Sequence, residues 1–285
     1  MTLGCATNLG MAKQGMAPQD ASSNPLVLQV EDPIFDGGTH DDYVRRVEQA
    51  GFLPVSPLSS DVRERFEAIA REDQYEGAPV TITAAAILID GTYLPRVNFI
   101  PERLVRQWSL AFWKRYVKPE SVADVRPSPN RIPLPYRRGI WFVGETSMGN
   151  LSFVVTLKDG GKFGCLYPSA NDLIALPEPY TPSDIVDIDI GFGLAKAQKV
   201  VLKEPDFVWC PYNESPEGQL ERAWRTRNVL DLEEIGMTQA NPVALRLRAE
   251  NWLLVIGANV SNSWRLRSAA KEAAVRVRES LPQLH

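Results

Sequence analysis

Residues 144–167 read GETSMGNLSFVVTLKDGGKFGCLY. Two strand-like runs, LSFVVTLK and KFGCLY, flank Asp159-Gly160-Gly161, and that arrangement predicts a β-hairpin. Val154, Val155 and Leu157 ask for an apolar core, and Cys165 reads as a thiol packed inward. The polar, glycine-flanked loop Thr146–Asn150 lies at one end of the strands and is the expected rim of a site, with Thr146, Ser147 and Asn150 as binding candidates. Ser147 follows Gly144 by three residues rather than two and joins two strands. It therefore misses the G-x-S-x-G nucleophile elbow, which needs a strand feeding a helix.

Outward from the hairpin, IWFVGET on its N-terminal side reads as another strand, and IVDIDIGF, AKAQKVVLKE and DFVWCPY continue the strand pattern on the other. Upstream, FDGGTHDDYVRRVEQAGF and SSDVRERFEAIARED read as helices, the second with Val62, Phe66, Ile69 and Ala70 on one face. PVTITAAAILIDGTYLPRVNF reads as two strands about an Asp90-Gly91 turn. Pro101 opens PERLVRQWSLAFWKRYVK, read as one helix over 101–118. The proline-rich VRPSPNRIPLPYRRG is the expected connector between lobes. From Glu217 the pattern turns helical and ends at Pro282. The expected fold is α+β, with a mainly antiparallel central sheet, flanking helices and a helical C-terminal section. The expected organisation is a flexible arm over 1–30, an α/β lobe over 31–125 and a sheet lobe with C-terminal helices over 126–285, with one continuous domain over 31–285 as the alternative.

The 285 residues carry a formal charge of −4 and a pI of about 5.4, which disfavours a nucleic-acid partner. The charge alternates along the chain, with balances of −7, +5, −5 and +3 over 1–100, 101–150, 151–220 and 221–285. Such blocks complement one another within a fold. The longest apolar windows, VTITAAAILI and NWLLVIGANV, fall well short of the roughly 20 residues that span a bilayer. Three cysteines without a C-x-x-C pair predict a reducing, cytoplasmic setting. MTLGC resembles the end of a lipoprotein box, so the alternative is a lipidated Cys5 on a chain whose signal was trimmed.

Only two histidines occur, His40 and the terminal His285, so a multi-histidine zinc site cannot be built. His40 stands in DGGTHDD among Asp36, Asp41 and Asp42. An imidazole among carboxylates suits a metal, and acids at a helix start equally suit its dipole. Asp187 and Asp189 fall two apart on a strand and share a face. Two such carboxylates suit a divalent cation or an acid–base pair, and the same alternation suits an ordinary solvated sheet face. No P-loop or dinucleotide-binding loop is present, and no cofactor is expected. On the 101–118 helix, Arg103, Lys114 and Lys118 cluster away from the apolar arc. Trp113 stands outside that arc as a candidate interface anchor.

These features predict a non-catalytic protein that works through a surface on another protein, as a neutraliser, inhibitor or adaptor. The alternatives are a carboxylate-based, metal-assisted enzyme centred on Asp187 and Asp189, and a viral or phage structural subunit.

Overall fold

The computed structural model describes residues 24–29, 55–72, 81–107, 115–143, 150–167, 172–191 and 193–282, with isolated positions at 42, 45, 48, 49 and 146. His40, Trp113, Lys114, Ser147 and Cys5 lie outside the described residues.

The first sheet has six strands. They are β1 (Val27–Gln29), β2 (Ile82–Leu88), β3 (Tyr93–Pro101), β4 (Arg115–Val117), β5 (Val122–Arg126) and β10 (Val208–Tyr212), in the order β1-β4-β10-β3-β2-β5. The β2–β3 hairpin turns at Asp90-Gly91, as the sequence predicts. Gly91 takes φ +85, which an L side chain resists, and Asp90 Oδ1 accepts the Thr92 N–H at 2.9 Å. Helix α1 (Ser60–Glu72) lies on one face of this sheet. Its Val62, Phe66 and Ile69 are buried, and the Phe66 ring meets Phe99 and Tyr212, each at 5.0 Å.

The second sheet contains β6 (Leu151–Leu157), β7 (Lys162–Tyr167), β8 (Ile185–Ile190) and β9 (Val201–Lys203), in the order β8-β6-β7-β9. The β6–β7 hairpin matches expectation. Gly160 takes φ +85, and the Leu157 N–H meets the Gly161 carbonyl at 2.8 Å. The Tyr180 hydroxyl and the Gly161 N–H both donate to Asp159, at 2.6 and 2.9 Å, and hold its carboxyl below the ordinary range. Val154, Val155, Leu157 and Cys165 are buried. On β7, Gly164 admits the turn at 195–197, since a Cβ there would stand 2.4 Å from the Ala195 carbonyl oxygen.

Three expectations are corrected, the first in part. The sheets are mixed, so the mainly antiparallel expectation holds in part: β10 runs parallel to both β3 and β4 and β9 runs parallel to β7, while the other paired strands run antiparallel. The parallel pairs form after long excursions of the chain, where no tight turn imposes antiparallel pairing. IWFV does not form a strand but ends helix α3 (Leu134–Val143). Pro133 and Pro135 preset its first turn, the Pro133 carbonyl accepts the Tyr136 and Arg137 N–H groups, and this start overrides the β-propensity of the run. The 101–118 segment is not one helix. Helix α2 covers Glu102–Gln107, and Arg115–Val117 is strand β4 with Tyr116 and Val117 buried.

The chain crosses from the second sheet back to the first, because β10 inserts between β3 and β4. A buried polar cluster also links the two regions. The Thr83 hydroxyl on β2 donates to Asp172 Oδ1 at 2.7 Å, and Arg131 Nε reaches Asp172 Oδ2 at 2.6 Å. A desolvated carboxylate needs such partners.

Helices α4 (Pro216–Thr226), α5 (Val229–Met237), α6 (Val243–Ala258) and α7 (Trp264–Ser280) form the C-terminal bundle. Ser215, Asn228 and Ser263 cap α4, α5 and α7, each accepting a backbone N–H of the first turn. Leu220, Leu232, Leu245, Leu253, Ala270 and Val277 meet in the core. Arg246 is buried within it. It donates to the carbonyls of Gly236 at 2.8 Å and Ser280 at 2.7 Å, which satisfies C-terminal acceptors of α5 and α7.

Candidate functional site

A cleft of about 550 Å³ opens between α1 and the β10–α4 junction. Its floor is apolar, built from Leu58, Phe66, Ala70, Ile82 and Tyr212. The rims are charged and regular. On α1, Arg63, Glu67 and Arg71 are spaced by four residues, and on α4 Glu217, Glu221 and Arg225 repeat the spacing. Residues four apart share a helix face, so each helix presents a charged ridge to the cleft.

The wall behind the α4 rim is a rigid ion-pair network. Arg222 donates twice to Glu214, Nε to Oε1 and Nη2 to Oε2, both at 2.9 Å, and Nη1 reaches Asp231 Oδ2 at 2.8 Å. Burial alone would lower the Arg222 guanidinium, but the Glu214 hydrogen bonds and the Glu214 and Asp231 charges leave it raised. Arg103 of α2 reaches the same Asp231 oxygen at 2.9 Å and stands 3.6 Å from Glu234. Burial and the nearby Glu214 carboxylate push the Tyr212 hydroxyl well above its ordinary value. The α1 rim is different. Arg63 donates to the Leu58 carbonyl and Arg71 to the Glu67 carbonyl, each at 3.2 Å. Among the described residues neither guanidinium makes a side-chain ion pair.

Those residues singled out by sequence that the structure describes do not converge on this cleft. Arg103 is committed to α5 through Asp231. Lys118 follows β4, half-buried, its carbonyl accepting the Ser121 N–H at 2.9 Å. Thr146 closes its own loop, meeting the Asn150 carbonyl through its N–H at 2.8 Å and accepting the Ser152 N–H on Oγ1 at 2.7 Å. Asp187 and Asp189 are exposed on β8, an edge strand, where charged side chains oppose edge-to-edge pairing. Among the described residues no group of three or more His, Cys, Asp or Glu is placed to hold a metal. Burial pushes the Cys165 thiol up to about 12, with Tyr167 partly offsetting it, and raises Cys210 further. No described helix is long and apolar enough to cross a membrane.

The α1 ridge is visible in the sequence as R-x-x-x-E-x-x-x-R. Its apposition to α4, some 150 positions later, carries no local signal.

No protein-family model, curated protein or solved structure matches the chain.

Proposed function

We propose that the chain is a non-catalytic protein-binding protein, a neutraliser, inhibitor or adaptor, that takes a segment of its partner into the cleft between α1 and α4. The observation that supports this reading is the pairing of an apolar floor with two charged helical ridges. An apolar side chain of the partner gains by leaving water on that floor. The α1 and α4 charges then select the residues on either side of it, and complementary charge favours specificity over raw affinity. The wall is suited to recognition because Glu214, Arg222 and Asp231 hold one another in place, which reduces the ordering cost of binding. The cleft volume lies within the roughly 300–1,000 Å³ of ligand pockets.

The test is selection of random peptides displayed on phage against the full chain, with Ala70→Trp as the counter-target because the indole fills the cleft. Peptides enriched on the native chain are expected to carry one large apolar residue flanked by charge. Exchanging ridge charges in Arg63→Glu/Arg71→Glu is expected to invert the flanking preference. Peptides that bind the native chain and Ala70→Trp equally well would remove the cleft as the recognition site.

A further inference from the structure

The bundle has one end that is apolar and basic. Arg246, near the start of α6, ties the C-termini of α5 and α7 through the Gly236 and Ser280 carbonyls. The N-terminus of α7 therefore meets the C-terminus of α6 at the opposite end, which the nine-residue α5 does not reach. Large apolar side chains stand in solvent there: Leu254 and Val255 near the end of α6, Val260 in the turn, and Trp264 at the start of α7. Their exposures are 40, 52, 81 and 68%. Singly exposed apolar residues are ordinary, but four gathered at one end mark an interaction surface.

The turn that presents them is locked by its own hydrogen bonds. Asn262 Nδ2 donates to the Ile256 carbonyl at 3.0 Å, the Ser261 N–H donates to Asn259 Oδ1 at 3.0 Å, and Ser263 Oγ accepts the Leu266 N–H at 3.2 Å. Val260 thus points outward on a fixed frame. The charge along the segment that carries it has one sign: from Asn251 to Lys271 the chain contains Arg265, Arg267 and Lys271 and no acidic residue.

We propose that this end of the bundle docks on an anionic lipid bilayer, with Val260 and Trp264 entering the headgroup–acyl boundary and Arg265 and Arg267 facing lipid phosphates. A tryptophan with branched aliphatics suits that boundary, because the ring is apolar while its N–H stays wet. The basic fringe supplies attraction to anionic headgroups. The cluster sits on helix ends and a turn, so it projects. A fluid bilayer closes around a projecting cluster without a preformed pocket, whereas a folded partner needs one. The inference is independent of the cleft.

Co-sedimentation of the full chain with two kinds of vesicle tests it: pure phosphatidylcholine, and equal parts phosphatidylcholine and phosphatidylglycerol. Binding is expected on the anionic vesicles only and is expected to fall with added salt. Val260→Asp/Trp264→Ala is expected to abolish it. Removing Arg265 or Arg267 is expected to weaken it about fivefold each, the effect of one basic residue at an anionic surface. Val260, Trp264 and Arg265 are exposed and Arg267 is half-buried, and unchanged circular dichroism and melting establish that each variant is folded. Absence of vesicle binding, or binding that survives Val260→Asp/Trp264→Ala, would overturn the proposal. Light scattering covers the competing occupant. A dimer that the same double substitution converts to monomer would assign the surface to a second copy of the chain instead.

Discussion

Arg222 Nη1 donates to Asp231 Oδ2 at 2.8 Å across the junction of α4 and α5. The pair is buried on both sides, and Arg222 also holds Glu214. Removing one partner of such a pair leaves an uncompensated charge, which costs about 3–5 kcal/mol. Asp231→Asn is expected to lose at the lower end of that range, since the Arg222–Glu214 pair survives. Urea unfolding reads this loss directly. A change below about 1 kcal/mol would mean that the network does not brace the wall.

Arg246→Met removes the donors that reach the Gly236 and Ser280 carbonyls. The Ser280 carbonyl keeps Gln239 Nε2 at 3.3 Å, so one buried acceptor, on Gly236, loses its Arg246 donor, which costs about 1–3 kcal/mol. A loss of about 2 kcal/mol is expected by thermal or urea unfolding of the full chain.

Gly164→Ala places a methyl 2.4 Å from the Ala195 carbonyl oxygen and 2.8 Å from the Ala195 Cα. Both obstacles are backbone, so the turn at 195–197 has to shift. Overpacking of this kind costs about 1–3 kcal/mol. Gly160→Ala is expected to destabilise for a different reason, a positive φ in open space, and the two effects are expected to add.

Cys165 and Cys210 are expected to resist thiol reagents at neutral pH in the folded chain and to react once it is unfolded, with peptide mapping to assign the sites. Because burial raises the folded Cys165 thiol from 9.0 to about 12, its contribution to stability is complete below the unfolded value. It is lost as pH climbs from about 9 to about 12, the window in which the unfolded chain ionises first, at up to ~1.4 kcal/mol per pH unit. The unfolding midpoint is expected to fall over that window, and less steeply in Cys165→Ala.

Asp187→Asn/Asp189→Asn is expected to change stability by less than about 0.5 kcal/mol, as exposed edge-strand positions do. Melting with Mg²⁺, Mn²⁺ or Ca²⁺ supplies the second readout. An ion-dependent shift that disappears in this variant would revive the carboxylate-centred reading.

Local sequence determined the features that need only neighbours. Asp159-Gly160-Gly161 and Asp90-Gly91 specify their hairpins because a positive φ and an aspartate accepting a nearby N–H are satisfied within a few residues. The Val62, Phe66, Ile69 stripe specifies α1 because one helical face must leave water. Tertiary structure decided what depends on distant partners. IWFV carries strand propensity, yet it completes a helix begun at Pro133, with Ile140 buried against the second sheet. DFVWCPY reads as a strand, but its place between β3 and β4 follows from burial rather than from any turn. The cleft is the strongest case. Arg63, Glu67 and Arg71 look like solvated charges on α1 until the chain returns through β10 and sets α4 opposite them, and the sequence holds no local term for that encounter.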